Sequence, residues 1–243
     1  MKSKNRCAFF DIDGTLARQS LMINHFKQLV RFELIDERVY QQQIRDVYEL
    51  YEKRYDDYDN YLNILAQVYR EELRKIDPQF NGFISKQVVD KYGEIVYRYT
   101  RNRIRYHQKQ GHMIFFISGS PDFLVKEMAE KYKITAYRAT IYPTKDNHYT
   151  GEVIPMWDSN SKDRALNELI QKYDIDLKKS YAYGDTTGDL SMLQRVGNKI
   201  AINPTKEMVL EIRKNKSQYE SIKIVVERKD IIYHLTPDVE IEC

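Results

Sequence analysis

The sequence has little of several residue types, and each shortage excludes a class of protein. Its 243 residues include two cysteines, six prolines and nine glycines, which rules out a disulfide-stapled scaffold, a collagenous repeat and a low-complexity chain. No apolar run approaches the ~18 residues that a membrane-spanning helix needs. The polar start MKSKNR leads straight into a short apolar run and two aspartates, which is unlike a secretory signal peptide. We therefore expect no association with a membrane.

The cysteines and the charge balance do not indicate a thiolate metal centre or a nucleic-acid partner. Cys7 and Cys243 stand at opposite ends of the chain without metal-ligand spacing, so we interpret them as reduced thiols. The 39 basic and 36 acidic residues give a formal charge of +3 and are interleaved rather than segregated. These patterns predict a cytoplasmic protein that does not bind nucleic acid, and they leave its oligomeric state open.

The chain changes character twice along its length. An apolar run before Asp11 predicts a buried strand that ends in a glycine loop. Residues 17–110 hold only two glycines and carry apolar residues three and four apart, which predicts a helical block that breaks before Pro78. After Gly111, short apolar runs alternate with helical stretches. This alternation predicts an α/β fold, in which a Rossmann-like parallel sheet with helices on both faces is interrupted early by an all-helical insertion.

Tyrosine is the one aromatic residue in excess, with 20 tyrosines against nine phenylalanines and one tryptophan. Many of them fall at helical spacing within the insertion. We expect these tyrosines to bury their rings in packing and to leave their hydroxyl groups in water.

Polar residues follow three of the predicted strands at the point where each strand ends. In chain order they are Asp11 and Asp13, Ser118 and Gly119, and Asp185 with Asp189. Ligands of open parallel sheets bind beyond the carboxyl ends of the strands, so we expect these groups to meet in one crevice. Carboxylates packed this closely raise one another's pKa unless a cation lies among them. Mg²⁺ prefers such oxygen ligands, so the cluster predicts a magnesium site.

A metal ion beside an aspartate suits phosphoryl transfer, because the ion screens the repulsion between a carboxylate nucleophile and a phosphate. Asp13 lies two residues beyond Asp11, so its side chain would point elsewhere while its main-chain carbonyl stays near the ion. The Asp13 carboxyl group would then be free to act as general acid and base.

The transferred phosphoryl group also needs hydrogen-bond donors and a fixed cation. We expect the amides of Gly14 and Thr15, the Ser118 hydroxyl and the Gly119 amide to bind the phosphoryl oxygens. Lys162 is the best candidate for the cation, because it opens a helix after a Ser-Asn-Ser turn. Lys145 and Lys179 are less suitable substitutes.

Four motifs, FFDIDGTL, FISGS, SKDRAL and YGDTTGDLSML, occur in this order and resemble those of the haloacid dehalogenase (HAD) superfamily. The long helical insertion between the first two motifs is similar to that of subfamily IB, the phosphoserine-phosphatase-like hydrolases. The resemblance implies a HAD core domain of residues 1–16 and 106–243. A helical cap domain of residues 17–105 would be inserted after the first strand.

The resemblance also implies a role for each motif residue. Asp11 would be the nucleophile that becomes an aspartyl-phosphate, and Asp13 would protonate the leaving group and then activate water. Ser118 would orient the phosphoryl group, and Lys162 would neutralise it. The Mg²⁺ site would comprise Asp11, Asp13, Asp185 and Asp189, the last of which supports either the metal or Lys162.

The resemblance implies a Mg²⁺-dependent phosphatase whose substrate is a small phosphomonoester. Ser20 stands where phosphoserine phosphatase carries the glutamate that reads the substrate amine, which argues against phosphoserine. Two alternatives remain open: a phosphotransferase that uses the same intermediate, and a catalytically idle protein that uses its cap to bind a partner.

Overall fold

The computed structural model describes residues 4–242, apart from the side chain of Asp59. Within that part of the chain the strands are β1 (Cys7–Phe10), β2 (Met113–Pro121), β3 (Ala136–Thr140), β4 (Thr144–Lys145), β5 (His148–Tyr149), β6 (Tyr181–Gly184), β7 (Asn198–Ile202), β8 (Lys223–Arg228) and β9 (Ile231–Leu235). Seven of them form one sheet in the order β3-β2-β1-β6-β7-β8-β9, and β4 pairs with β5 in a separate hairpin. All neighbours in the large sheet are parallel except β8 and β9.

Helices connect the parallel strands, as crossover connections require. They are α1 (Leu21–Arg31), α2 (Glu37–Gln43), α3 (Arg45–Glu52), α4 (Tyr58–Leu73), α5 (Pro78–Tyr92), α6 (Arg98–Lys109), α7 (Asp122–Tyr132), α8 (Ser159–Tyr173), α9 (Leu190–Arg195) and α10 (Lys206–Lys214). The first six lie between β1 and β2, where the sequence predicts a helical insertion. The predicted α/β fold class is confirmed.

The alternation of side chains along β1 explains why helices cover both faces of the sheet. Ala8 and Phe10 belong to the apolar cluster of one face, and Cys7 and Phe9 to the cluster of the other. Cys7 is buried, as its position in an apolar run indicates, whereas Cys243 lies outside the described residues. The Phe10 ring stacks on that of Tyr183 in β6, with 4.2 Å between their centroids.

The break in the helical block falls where the sequence predicts it. α4 ends at Leu73 and α5 begins at Pro78, whose fixed φ suits the first position of a helix. The Asp77 side chain accepts a hydrogen bond from the main-chain NH of Gln79 and caps α5.

The division into core and cap stays a prediction. The predicted boundary between residues 105 and 106 falls inside α6. That helix contacts the sheet through His107, whose Nε2 lies 2.9 Å from the Tyr183 hydroxyl oxygen. No helix in residues 4–242 combines the length and apolar character that a bilayer crossing requires.

The tyrosine prediction is right for the rings of Tyr61 and Tyr69, but it is wrong for Tyr55, which is 80% exposed, and for the Tyr69 hydroxyl group. Tyr61 and Tyr69 are buried in the cluster that joins the insertion to the sheet. The Tyr69 hydroxyl is not in water, because its oxygen lies 2.8 Å from Nδ1 of the buried His25.

Candidate active site

Three loops meet at the carboxyl ends of the central strands. β1 lies between β2 and β6, so Asp11 at the end of β1 is flanked by Ser118 in β2 and by Asp185 after β6. All three side chains are buried. The predicted side chains therefore come together at this edge of the sheet.

Lys162 lies between two carboxylates of this cluster. Its Nζ donates to Oδ1 of Asp11 at 2.7 Å and to Oδ1 of Asp189 at 2.6 Å, and the three side chains are almost fully buried. α8 begins at Ser159, where the Asp158 carboxylate accepts the main-chain NH of Ser161 at 2.9 Å. This cap fixes the first turn of the helix and so directs the lysine into the site.

Trp157 packs the start of α8 against two other loops. A Cβ on Gly119 would lie 3.0 Å from the Trp157 Cβ, and a Cβ on Gly188 would overlap the Trp157 carbonyl oxygen. Position 188 therefore needs glycine, because the two main chains approach too closely for a side chain, whereas a side chain at position 119 would require Trp157 to shift by a few tenths of an ångström. The two substitute lysines lie away from this site. Lys145 is exposed in the hairpin, and Lys179 pairs with Asp176 at 3.7 Å on the surface.

Asp189 organises the loop after β6 as well as pairing with Lys162. Its Oδ2 accepts the main-chain NH groups of Asp185 at 3.0 Å and Thr186 at 3.1 Å, and the Thr186 hydroxyl at 3.3 Å. With Lys162 on Oδ1, both of its oxygens are occupied. This favours the predicted supporting role over direct metal ligation.

Asp185 is held by the loop that follows Asp11. The Thr15 hydroxyl donates to Oδ1 of Asp185 at 2.7 Å. Gly14 has a φ of +82°, and a Cβ there would overlap Oδ2 of Asp185. Glycine at position 14 therefore allows both the turn and the approach of the Asp185 carboxylate.

The residues fit a divalent cation. Carboxylate oxygens of Asp11, Asp185 and Asp189 lie within 4.8 Å of one another, and all three residues are buried. Oδ1 of Asp11 and Oδ1 of Asp185 already accept hydrogen bonds, but neither Oδ2 has a donor among the described residues. Two carboxylate oxygens without donors in a buried pocket are suitable ligands for Mg²⁺.

The pKa values of these carboxyl groups reflect first their burial and then uncompensated negative charge. Burial, followed by the charges of Asp11 and Asp189, raises the pKa of Asp185 well above its usual range. Burial also raises the pKa of Asp11, although the Lys162 ammonium opposes the shift. For Lys162 burial alone would lower the pKa, but the two carboxylates outweigh it and raise the pKa. A divalent cation would offset the excess negative charge.

Asp13 points away from these carboxylates, as its spacing from Asp11 predicts. Its two oxygens accept the main-chain NH of Leu21 at 3.2 and 3.3 Å, and Oδ2 accepts the Ser120 hydroxyl at 2.8 Å. The Ser20 side chain also lies near this carboxylate and near the Tyr58 hydroxyl group. Burial raises the pKa of Asp13, and these hydrogen bonds oppose the rise.

The expected phosphate donors are partly engaged elsewhere. The Gly14 NH donates to the Ala17 carbonyl at 2.9 Å and the Thr15 NH to the Ile12 carbonyl at 3.3 Å, so neither points to a ligand in this arrangement. The structure gives both residues a different task, which is to hold Asp185. The main-chain NH groups of Ile12 and Asp13 donate no hydrogen bond among the described residues and so are free to bind a ligand.

The Ser118 hydroxyl is buried beside Asp11 and accepts the Ser120 main-chain NH at 3.2 Å, which fixes its orientation. Sequence reasoning missed the Ser120 side chain and the Thr15 hydroxyl. The register of β2 determines where the Ser120 side chain points, and a contact with the distant Asp185 determines the role of the Thr15 hydroxyl. No local sequence pattern indicates either contact.

A family model described as haloacid dehalogenase-like hydrolase matches residues 8–194, well over half of the chain. The chain is 25% identical over 215 residues to a histidinol-phosphatase of Neisseria meningitidis serogroup C, covering 85% of this chain and 94% of that protein. It is 26% identical over 212 residues to the inhibition of morphological differentiation protein of Streptomyces azureus, covering 83% of this chain and 73% of that protein.

The fold is also similar to the solved structure of a substrate-bound phosphoserine phosphatase complex. The TM-score is 0.59 and the sequence identity 17%, over 91% of this chain and 93% of the other. The predicted resemblance is confirmed: the chain belongs to the haloacid dehalogenase-like hydrolase family.

Proposed function

We propose that this chain is a Mg²⁺-dependent phosphatase that hydrolyses a small phosphomonoester through an aspartyl-phosphate on Asp11. One observation carries the proposal: the Asp11 carboxylate lies in a buried pocket with Asp185, Asp189 and the Lys162 ammonium. A nucleophilic carboxylate, oxygen ligands for a cation and a fixed ammonium group are the parts that phosphoryl transfer needs.

Asp11, Asp185 and the Asp13 carbonyl would hold the magnesium ion, with Asp189 fixing the loop beside it. When bound, the ion supplies positive charge that offsets the negative charge of the phosphoryl group. Lys162 supplies positive charge from within the chain. The Ser118 hydroxyl and the Ile12 and Asp13 amides would donate to the phosphoryl oxygens.

In the first step, a carboxylate oxygen of Asp11 forms a bond to phosphorus while the bond from phosphorus to the ester oxygen breaks. The Asp13 carboxyl group gives its proton to the departing alkoxide, which leaves as an alcohol. In the second step, Asp13 takes a proton from water as that water attacks phosphorus. The bond to Asp11 breaks, inorganic phosphate leaves, and the Asp11 carboxylate is restored.

The substrate class is a small phosphate ester. The named relatives support this class, since one is a histidinol-phosphatase and one structural neighbour is a phosphoserine phosphatase. On the side of the leaving group, this chain presents the Ser20 and Tyr58 hydroxyls near Asp13. These neutral groups do not favour an ammonium group as the glutamate of phosphoserine phosphatase would, so we do not propose phosphoserine as the substrate.

The test is a screen of amino-alcohol, sugar, nucleotide and aryl phosphates for phosphate release, with Mg²⁺ or with a chelator. We expect Mg²⁺-dependent release by the natural chain. We also expect a loss of about 10³-fold or more in Asp11→Asn with an unchanged circular dichroism spectrum. Asp238→Asn is the matched control, because Asp238 is an exposed aspartate that pairs with Lys216 on the surface.

Undiminished turnover in Asp11→Asn would contradict the mechanism. Phosphate release that depends on an added alcohol would favour the phosphotransferase, and no hydrolysis of any aryl phosphate would favour the idle binding protein.

A further inference from the structure

A bulge at the end of β2 places Ser120 beside Asp13. Ser118 pairs with Ala139 and Pro121 pairs with Thr140, so Gly119 and Ser120 are extra residues in β2. Bulges of this kind redirect side chains and are common next to active sites. Here the Ser120 hydroxyl turns toward the loop after β1 and donates to Oδ2 of Asp13 at 2.8 Å.

The contacts of Asp13 show what this hydrogen bond adds. The Leu21 NH is nearly equidistant from the two oxygens, at 3.2 Å from Oδ1 and 3.3 Å from Oδ2, so it does not distinguish them. Ser120 binds Oδ2 alone. It therefore limits rotation of the carboxyl group and leaves Oδ1 as the oxygen with fewer donors.

We propose that Ser120 is a positioning residue, whose hydroxyl holds Oδ2 of Asp13 so that Oδ1 faces the ester oxygen and the attacking water. This inference rests on the proposed phosphatase function, in which Asp13 transfers both protons. A hydroxyl suits both steps, because Oδ2 accepts its hydrogen bond in the carboxylate and also in the carboxylic acid that carries its proton on Oδ1. Ser120 itself is buried and its main-chain NH is fixed by Ser118, so the hydroxyl is held in place.

The test compares two aryl phosphates that differ in how much they need an acid. 4-Nitrophenolate is a good leaving group and departs with little protonation, whereas the phenolate from phenyl phosphate is a poorer leaving group and needs a proton from a general acid. We expect Ser120→Ala to lower kcat/KM for phenyl phosphate by about 10-fold more than for 4-nitrophenyl phosphate, because kcat/KM reports the first step, in which a misplaced acid slows the release of the leaving group that needs a proton. Ser120→Thr keeps the hydroxyl and restores the ratio.

Two further variants separate positioning from a general structural effect. Ser85→Ala removes another buried hydroxyl, one that bonds to the Asn81 carbonyl at 2.7 Å, and should leave the ratio of the two substrates unchanged. In an Asp13→Asn background, Ser120→Ala should cause no additional loss with phenyl phosphate, because the residue through which it acts is gone.

An equal loss on both substrates, or a full additional loss in the Asp13→Asn background, would overturn the role of Ser120 while the phosphatase proposal stands. If the natural chain hydrolyses neither ester, the proposed function itself fails. Thermal unfolding of Ser120→Ala checks that the variant is folded.

Discussion

The Thr15 hydroxyl donates to Oδ1 of Asp185 at 2.7 Å and joins the loop after β1 to the loop after β6. Because one oxygen of Asp185 is fixed in this way, its other oxygen has a defined direction. Residues that orient a metal ligand affect metal affinity without touching the metal.

Thr15→Val, which keeps the shape of the side chain and removes the donor, should therefore weaken the metal site. We expect the Mg²⁺ concentration for half-maximal activity to rise about 10- to 100-fold. The matched control is Thr100→Val, because Thr100 is also buried and its hydroxyl bonds to the Tyr97 carbonyl at 3.3 Å and to no other group among the described residues. An unchanged Mg²⁺ titration in Thr15→Val would show that this hydrogen bond does not orient the ligand.

Gly14→Ala and Gly82→Ala should have opposite effects on the free energy of unfolding. Gly14 has a φ of +82°, and a Cβ there would overlap the Asp185 carboxylate. The variant should lose Mg²⁺-dependent activity and about 1–2 kcal/mol of stability from backbone strain alone. Gly82 lies inside α5 with open space around it, so alanine should stabilise the chain by about 0.5–1 kcal/mol. Urea denaturation measures both changes, and equal effects would contradict the argument.

Lys162→Met should both inactivate and destabilise the protein. The substitution keeps the length of the side chain but leaves Asp11 and Asp189 buried without their cation. Breaking a buried ion pair costs about 3–5 kcal/mol, and added Mg²⁺ should recover part of this loss. In Lys179→Met, which removes a largely exposed lysine that pairs with Asp176, the change should stay within about 1 kcal/mol. Similar urea midpoints for the two variants would refute this interpretation of the buried cluster.

Buried His25 should make the protein less stable in acid. Its Nδ1 lies 2.8 Å from the Tyr69 hydroxyl oxygen, and burial lowers its pKa to about 3. An unfolded histidine has a pKa of ~6.5, so below that pH the unfolded chain binds a proton that the folded chain does not. The contribution of His25 to stability is therefore complete above pH ~6.5 and falls by up to ~1.4 kcal/mol per pH unit as the pH drops toward 3.

The measurement is the free energy of unfolding between pH 7 and pH 4 in the natural chain and in His25→Gln. The variant should show a shallower decline. The decline should not vanish, because burial lowers the pKa of His107 to about 3 as well. His148→Gln, at an exposed position in the hairpin, should keep the slope of the natural chain. Equal slopes in all three proteins would contradict the prediction.

The sequence predicts best what short apolar runs and spacing determine. The run before Asp11 marks β1 with its observed bounds, and Pro78 marks the start of α5. By contrast, β2 extends beyond its apolar run to Pro121, because hydrogen bonds to β3 continue past a bulge. Pro121, which suggests a first helical residue, is therefore the last residue of a strand. β9 contains Ile231, Ile232 and Leu235 but is mostly exposed and antiparallel to β8 at the edge of the sheet, so a search for buried parallel strands misses it.

At the candidate site, spacing indicates which aspartates come together but not how each is used. Asp13 is directed away from Asp11, as expected from its position two residues later. Asp189 accepts hydrogen bonds from three donors of its own loop and from Lys162. These bonds depend on the folded conformation of the loop after β6, which spacing does not predict. In the same way, the Gly14 and Thr15 amides donate to carbonyl oxygens of their own turn. The residue types alone do not indicate these hydrogen bonds.

Trp157 is the only tryptophan in the sequence, and it packs against Gly119 and Gly188 with about half of its surface exposed. Light of wavelengths longer than those that tyrosine absorbs therefore excites one indole, and Trp157 lies where the end of β2 and the loop after β6 approach each other. The emission wavelength of that indole reports the polarity of this junction without a label. The chain thus contains its own optical probe of how tightly these loops are held.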